Sequence, residues 1–229
     1  MTTFDEARVS LSNTFVSGTS LCDPFLGLLP IDGVGVSFLG GRVGQSTICA
    51  SNDAAARLDE LQFDAGDGPC WQAMSTRRIV AAPDVRNSLE GAWPGFIETL
   101  RSDPINSEVG SMYAFPLVAG PLEIGAVDLY ASKRAALTRP QLQNASALAQ
   151  IASWQVLRRI LVENNELDTP SPRPRREVHQ ATGMILAQLN IGPQDAELML
   201  RAHAFAAGRS VVDVALDVIE RRLDFSSEE

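Results

Sequence analysis

The chain has 229 residues, 45% hydrophobic and 21% charged, with a net charge of −9, the composition of a globular protein of one large or two smaller domains. No apolar run is long enough to span a membrane, and Met1 to Val9 lacks a basic segment followed by an apolar core, so neither insertion nor a signal peptide is expected. The acidity excludes nucleic-acid binding through a broadly basic surface; any such footprint has to be a local patch.

The first segment alternates helices and strands. Phe4 to Val16 is predicted as a helix, and Val34–Leu39 and Ser46–Ala50 as a strand pair around Gly40–Gly41, a hairpin turn signal. Asn52 or Asp53 caps a short helix through Leu61, and Asp67-Gly-Pro-Cys70 turns into another with Pro69 in its first turn. A short strand, Arg78–Ala82, ends at Pro83, and Trp93–Arg101 is helical. Val109–Val118 and Glu123–Tyr130 alternate apolar residues around Ala119-Gly-Pro121, a second hairpin. The pattern is α+β with an antiparallel sheet over about residues 10–137.

A connecting helix follows over 138–165, with Thr138 as its cap and Leu142, Ala145, Ala149, Ala152 and Val156 as one stripe, broadened by Leu148, Ile151 and Leu161. That stripe serves either the helix's own sheet or a second subunit, and a homodimer through it is expected, with charge at Ala149 and Val156 expected to dissociate it. Residues 166–174 read as a linker, because Pro170, Pro172 and Pro174 favour extended chain.

Residues 175–225 read as three short helices. The first carries Val178, Ala181, Ile185 and Leu189 on one face, and the second opens at Pro193, carries Ala196, Leu200 and Ala204, and ends at Gly208. The third is capped by Ser210 and bears Val211, Val214, Ala215 and Val218 on one stripe. From 168 to 229 there are 7 arginines and 10 acidic residues, so this part too is net negative.

Three widely spaced cysteines, Cys22, Cys49 and Cys70, argue against a disulfide framework or a zinc site and for a reducing cytoplasm. Cys70 near a helix start has the position that lowers a thiol pKa, but thiol catalysis needs a second cysteine nearby, and a buried inert thiol is the expectation. With His179 and His203 the only histidines, no metal site is expected, nor any cofactor. No Ser-His-Asp set or phosphate loop appears, so an enzyme is not expected. Trp71, Trp93, Phe96 and Tyr130 either fill the core or line a ligand pocket, and Asp128, between Val127 and Leu129, faces either solvent by alternation or a ligand.

Two families are resembled. Gly33-Val-Gly-Val-Ser37, the run from Leu61 through Gly66-Asp-Gly-Pro-Cys-Trp71 to Ala73, Pro83-Asp-Val85, Trp93-Pro-Gly-Phe96 and Ile124-Gly-Ala-Val-Asp-Leu-Tyr130 are similar to GAF domains of actinobacterial regulators. Gln180-Ala-Thr-Gly-Met184, Ala196, Leu200-Arg-Ala202, Ala204 and Asp213-Val-Ala215 resemble an ANTAR domain, with Thr182 where the commonest form has Lys. The fold implied is a GAF-like α+β sensor domain followed by a small three-helix ANTAR-like domain. The resemblance further implies a possible small-molecule ligand in the first domain. It also implies a cytoplasmic regulator that binds paired hairpins in leader transcripts and prevents termination. The alternatives are a GAF-type regulator whose last helices bind DNA or a protein partner, and a cysteine-dependent GAF reductase.

Arg175, Arg176, Thr182, Gly183, Arg201, His203, Arg209 and Ser210 are the RNA-contact candidates. Arginines and the amide groups at a helix start suit phosphate, and a histidine can stack on an unpaired base. Each has a structural alternative: Arg201 can pair with Glu197, Ser210 can simply cap, His203 can pack, and small residues such as Ala181, Gly183, Ala202 and Ala204 can let helices approach closely.

Overall fold

The computed structural model describes residues 2–17, 19–40, 44–85, 92–134, 136–163 and 175–227. The chain divides into two compact units, Met1–Pro172 and Arg173–Glu229. The linker expected at 166–174 and Gly41 of the expected first hairpin turn lie outside the described residues.

In the first unit five strands form one antiparallel sheet in the order β2-β1-β5-β4-β3: β1 is Gly33–Gly40, β2 Gly44–Ala50, β3 Val80–Ala82, β4 Ser111–Ala119 and β5 Leu122–Ala131. Helices are α1 (Phe4–Ser17), α2 (Asp23–Leu28), α3 (Asp53–Ala65), α4 (Pro69–Thr76), α5 (Pro94–Ser102) and α6 (Arg139–Glu163). Because strand side chains alternate, each strand feeds two cores. Val34, Val36, Tyr113, Phe115, Leu117, Val127 and Leu129 pack with Leu11 of α1, Phe25 of α2 and Leu148 of α6. Met112, Ala114 and Tyr130 pack instead with Leu58 of α3, Ala73 of α4, and Phe96 and Leu100 of α5. A sheet covered on both faces needs nearly continuous burial, and β5 is buried from Ile124 through Ala131.

The local chemistry explains the boundaries. Asn52 caps α3 by accepting the Ala55 N–H at 2.8 Å, and Gly66 ends it in the left-handed region at φ 66°. Thr138 and Gln141 cap α6 reciprocally: Gln141 Oε1 accepts the Thr138 N–H at 2.8 Å, and Thr138 Oγ1 accepts the Gln141 N–H at 3.4 Å. The six-residue helix α2 carries no periodicity to announce it and was not expected; its Phe25 is fully buried.

Two expectations are corrected. Ala145, Ala149, Ala152 and Val156 are buried in their own domain's core, where the alanines let α6 lie close to β4. Charge at Ala149 or Val156 would therefore break the domain itself. The cysteines also differ: Cys22 and Cys49 form a disulfide, Cα atoms 6.4 Å apart, joining the start of α2 to β2. A separation of 27 residues hides such a pairing from sequence spacing.

The second unit holds α7 (Arg176–Leu189), α8 (Pro193–Ala207) and α9 (Val211–Ile219), followed by a 3-10 turn at Phe225–Ser227. Val178, Ala181 and Ile185 meet Ala196, Leu200 and Ala204 and the valine face of α9, and Phe225 closes the cluster. Asn190 and Gly208 end α7 and α8 in the left-handed region, and Ser210 caps α9 by accepting the Asp213 N–H at 3.0 Å. Packing a large aromatic ring into so thin a core contributes on the order of 2 kcal/mol, a contribution the three helices alone lack.

Candidate nucleic-acid interface and the polar centre of the first unit

The polar centre of the first unit sits between the sheet and α3. Ala55, Leu58, Asp59 and Gln62 share the buried stripe of α3, so the helix presents a carboxylate and an amide to the sheet. Asp59 Oδ2 accepts hydrogen bonds from Ser37 Oγ and, at 2.9 Å, from Thr47 Oγ1. Gln62 donates Nε2 to Asp128 Oδ2 at 2.7 Å, and its Oε1 accepts the Cys70 N–H at 2.9 Å. Asp128 is buried, facing this centre rather than solvent, and its Oδ1 has no hydrogen-bond partner. Burial pushes Asp59 up to about 6, and burial together with the nearby Asp59 charge pushes Asp128 well above the usual carboxylate range.

Gly35 makes the arrangement sterically feasible. It pairs with Asp128 across β1–β5, and a Cβ at that position would stand 2.7 Å from Asp59 Oδ1. Asp59 and Gln62 were missed in the sequence. The signal for them is their place on the apolar stripe of α3, together with the small residues Gly33, Gly35 and Ser37 that leave room beneath it.

The five expected ligand residues are buried or half-buried in the first unit. Trp93, Phe96 and Tyr130 are buried members of the core, and Trp71 packs beside Phe63 and Cys70. Their polar atoms are engaged internally: Trp71 Nε1 donates to the Gln62 carbonyl and Trp93 Nε1 to Gln72 Oε1, both at 2.9 Å, and Tyr130 Oη to Asn52 Oδ1 at 3.2 Å. A cavity of about 360 Å³ lies elsewhere, lined by Asp32, Ser111, Tyr113, Lys133 and Leu137 among others. Cys70 is free but fully buried, and burial pushes its thiol up, opposite to the lowering expected from its helix position. Among the described residues no group of three or more His, Cys, Asp or Glu is placed to hold a metal ion.

In the second unit the RNA-contact candidates separate into engaged and open groups. Arg201 is held by Glu197 at 2.6 Å, and Arg209 by Asp217 at 2.6 Å, while Asp217 also takes Arg222 at 2.5 Å. Those two guanidiniums hold Asp217 below the usual carboxylate range. Arg175 is only 9% exposed. His203 packs edge-to-face on Phe225 with ring centres 5.4 Å apart, and Ser210 is the α9 cap. Thr182 donates its hydroxyl to the Val178 carbonyl at 2.7 Å. Arg176 and Gly183 are exposed on α7. A Cβ at Gly183 meets nothing within 4 Å, so close helix packing, one reading of that glycine, does not account for it.

Residues 172–219 match the ANTAR domain family. The first unit has the fold of the GAF domain from an Acinetobacter phosphoenolpyruvate-protein phosphotransferase: TM-score 0.52, 11% identity, 71% of this chain and 98% of that one. The GAF-B domain of DevS from Mycobacterium smegmatis (TM-score 0.44, 15% identity, 65% and 94% covered) and fRMsr of Staphylococcus aureus (TM-score 0.46, 16% identity, 68% and 99% covered) are more distant likenesses. No curated protein sequence matches the chain. The architecture is an α+β domain followed by a helical domain. The chain joins a GAF-fold domain to an ANTAR domain.

Proposed function

We propose that this chain is a signal-responsive RNA-binding regulator of transcription antitermination, acting on paired hairpins in leader transcripts in the cytoplasm. The observation that carries the reading is the ANTAR match over 172–219 on a three-helix unit with its own core. The domains are taken as 10–137 for sensing, 138–165 for connection and dimerisation, 166–174 as linker and 175–225 for RNA. The sensing domain offers a small molecule the cavity beside Asp32, Tyr113 and Lys133, whose volume of about 360 Å³ suits one. Thiol catalysis is disfavoured by Cys70 being buried while Cys22 and Cys49 are bonded to each other.

The regulator acts as a homodimer through the outer face of α6. With the alanine stripe turned inward, the opposite face leaves Trp154 63% and Leu161 60% exposed, seven residues apart on one side of the helix. Two large apolar residues in register, with exposed Val9 of α1 in the same domain, suit a second copy of the same helix.

Crosslinking in cells followed by sequencing of the nucleic acid bound to the full chain tests the function. Enrichment of paired hairpins upstream of terminators is expected; enrichment of duplex DNA contradicts the reading.

A further inference from the structure

The disulfide of the first unit joins two unlike surroundings. Cys22, immediately before α2, is fully buried in the cluster that holds Leu11, Leu21 and Phe25. Cys49 is half-buried on β2, which lies at one edge of the sheet. A small molecule in solution therefore reaches the bond from the Cys49 side. The third cysteine, Cys70, is free and buried.

Two features separate this bond from a passive staple. First, the fold provides for both of its states. Cys22 Sγ lies 3.5 Å from the Val34 carbonyl oxygen, so a reduced Cys22 has an acceptor for its S–H without moving. The rest of its surroundings is apolar, where a thiol packs as a small hydrophobe. Second, the bond begins a line of contacts that ends on α6. It ties β2 to the start of α2. The Thr2 N–H, just before α1, donates to the Gly27 carbonyl of α2 at 3.1 Å. Gln155 Nε2 of α6 donates to the Ser12 carbonyl of α1 at 2.9 Å. Helix α6 is the last element before the chain continues to the C-terminal unit.

Resting on the cytoplasmic, signal-responsive reading above, we propose that Cys22–Cys49 is a reversible redox site through which the first domain senses hydroperoxides against small intracellular thiols. In a reducing compartment disulfides are rare, and those that form are usually transient and redox-sensing or catalytic. For reduction, a small thiolate attacks Cys49 Sγ. The S–S bond breaks, and its electron pair leaves on Cys22 Sγ, which takes up a proton. A second small thiolate attacks the small-molecule sulfur of the mixed disulfide. Cys49 leaves as a thiolate and is protonated, and a small disulfide departs. The protein has gained two electrons and two protons from two thiols.

For oxidation, the Cys49 thiolate attacks a hydroperoxide oxygen. The O–O bond breaks, an alcohol or water leaves, and Cys49 becomes a sulfenic acid. The Cys22 thiol attacks that sulfur, the S–O bond breaks, and water leaves with the thiol proton as the disulfide re-forms. Cys49, on the reachable side, takes the oxidant, and Cys22 resolves it. Reduction leaves α2 beside β2 by packing alone, which loosens α2 and α1 over α6.

The test uses the full-length protein, its thiols counted by alkylation and mass spectrometry. Millimolar reduced glutathione opens the bond, and hydrogen peroxide closes it again, over repeated cycles with unchanged circular dichroism. In the reduced state the amides of α1 and α2 exchange hydrogen at least about tenfold faster, those of α7 to α9 are unchanged, and the melting temperature is lower by several degrees. Cys49→Ser shows the reduced pattern under either treatment, and Cys70→Ala cycles as the parent does. A bond that glutathione leaves intact, reduced protein that peroxide does not re-close, or equal exchange in the two states makes the bond a passive staple and overturns the inference, while the RNA-binding reading stands on its own crosslinking test. Redox cycling in a protein that binds no RNA in either state contradicts that reading and leaves the redox site in place.

Discussion

Asp128 and Gly35 lie opposite one another in the β1–β5 register, and the absent side chain of Gly35 is what lets Asp59 approach the same patch of sheet. Two carboxyls are thereby buried under α3 with Ser37, Thr47 and Gln62 as their donors, and Asp128 Oδ1 is left without one. Buried acids in such a place resist ionisation.

Stability should therefore fall as pH rises. An acid whose folded-state pKa is raised contributes its full stability below the ordinary aspartate value and loses it as pH climbs through the folded value, about 6 for Asp59. For Asp59 alone the loss between pH 5 and pH 8 is on the order of 1.5 kcal/mol. Asp128→Asn keeps an oxygen for Gln62 and removes one charge. Urea denaturation at both pH values should show the variant more stable than the parent at pH 8 and flatter between them. A parent that gains stability toward pH 8 would mean these carboxyls are not the governing groups.

The thiols make a second prediction. In non-reduced protein the Cys22–Cys49 bond leaves Cys70 as the one reactive group, and it is fully buried. Alkylation followed by mass spectrometry should add nothing to the folded, non-reduced chain, one label after denaturation and three after denaturation with reductant. Three labels without reductant would contradict the pairing.

Much of the fold was legible because local chemistry states it directly. Asn52, Pro69, Thr138, Pro193, Gly208 and Ser210 mark helix ends, and the alternation through β4 and β5 marks a sheet covered on both sides. What could not be read depends on contacts distant in sequence. Asp128 looks solvent-facing by alternation until Gln62, 66 residues away, is placed against it. Trp71, Trp93 and Tyr130 read equally as core or pocket residues, and the internal partners of their polar atoms, Gln62, Gln72 and Asn52, are not announced by sequence spacing. The α6 stripe was correctly seen, but periodicity states that a face is apolar and not what covers it.

The outer face of α6 supplies a third prediction. Trp154→Glu places a charge on the exposed patch without touching the buried stripe of Ala145, Ala149, Ala152 and Val156. Sedimentation should show the parent as a dimer and the variant as a monomer at micromolar concentration, with unchanged circular dichroism and a melting temperature within a few degrees. A parent that sediments as a monomer would remove α6 as an interface.

The central claim is that the C-terminal unit binds RNA through few charges and unpaired bases. Fluorescence anisotropy of the full chain against a selected hairpin RNA and a DNA duplex of the same sequence, each across a salt series, tests it most directly. Each phosphate contact on a single strand contributes a slope of about 0.7 in log affinity against log salt. With Arg176 free and Arg201 and Arg209 engaged, saturable binding to the RNA with a total slope of only about 1 to 2 is the expected result, with no measurable binding to the duplex. Equal or tighter binding to the DNA, or a steep slope shared by both, would contradict it.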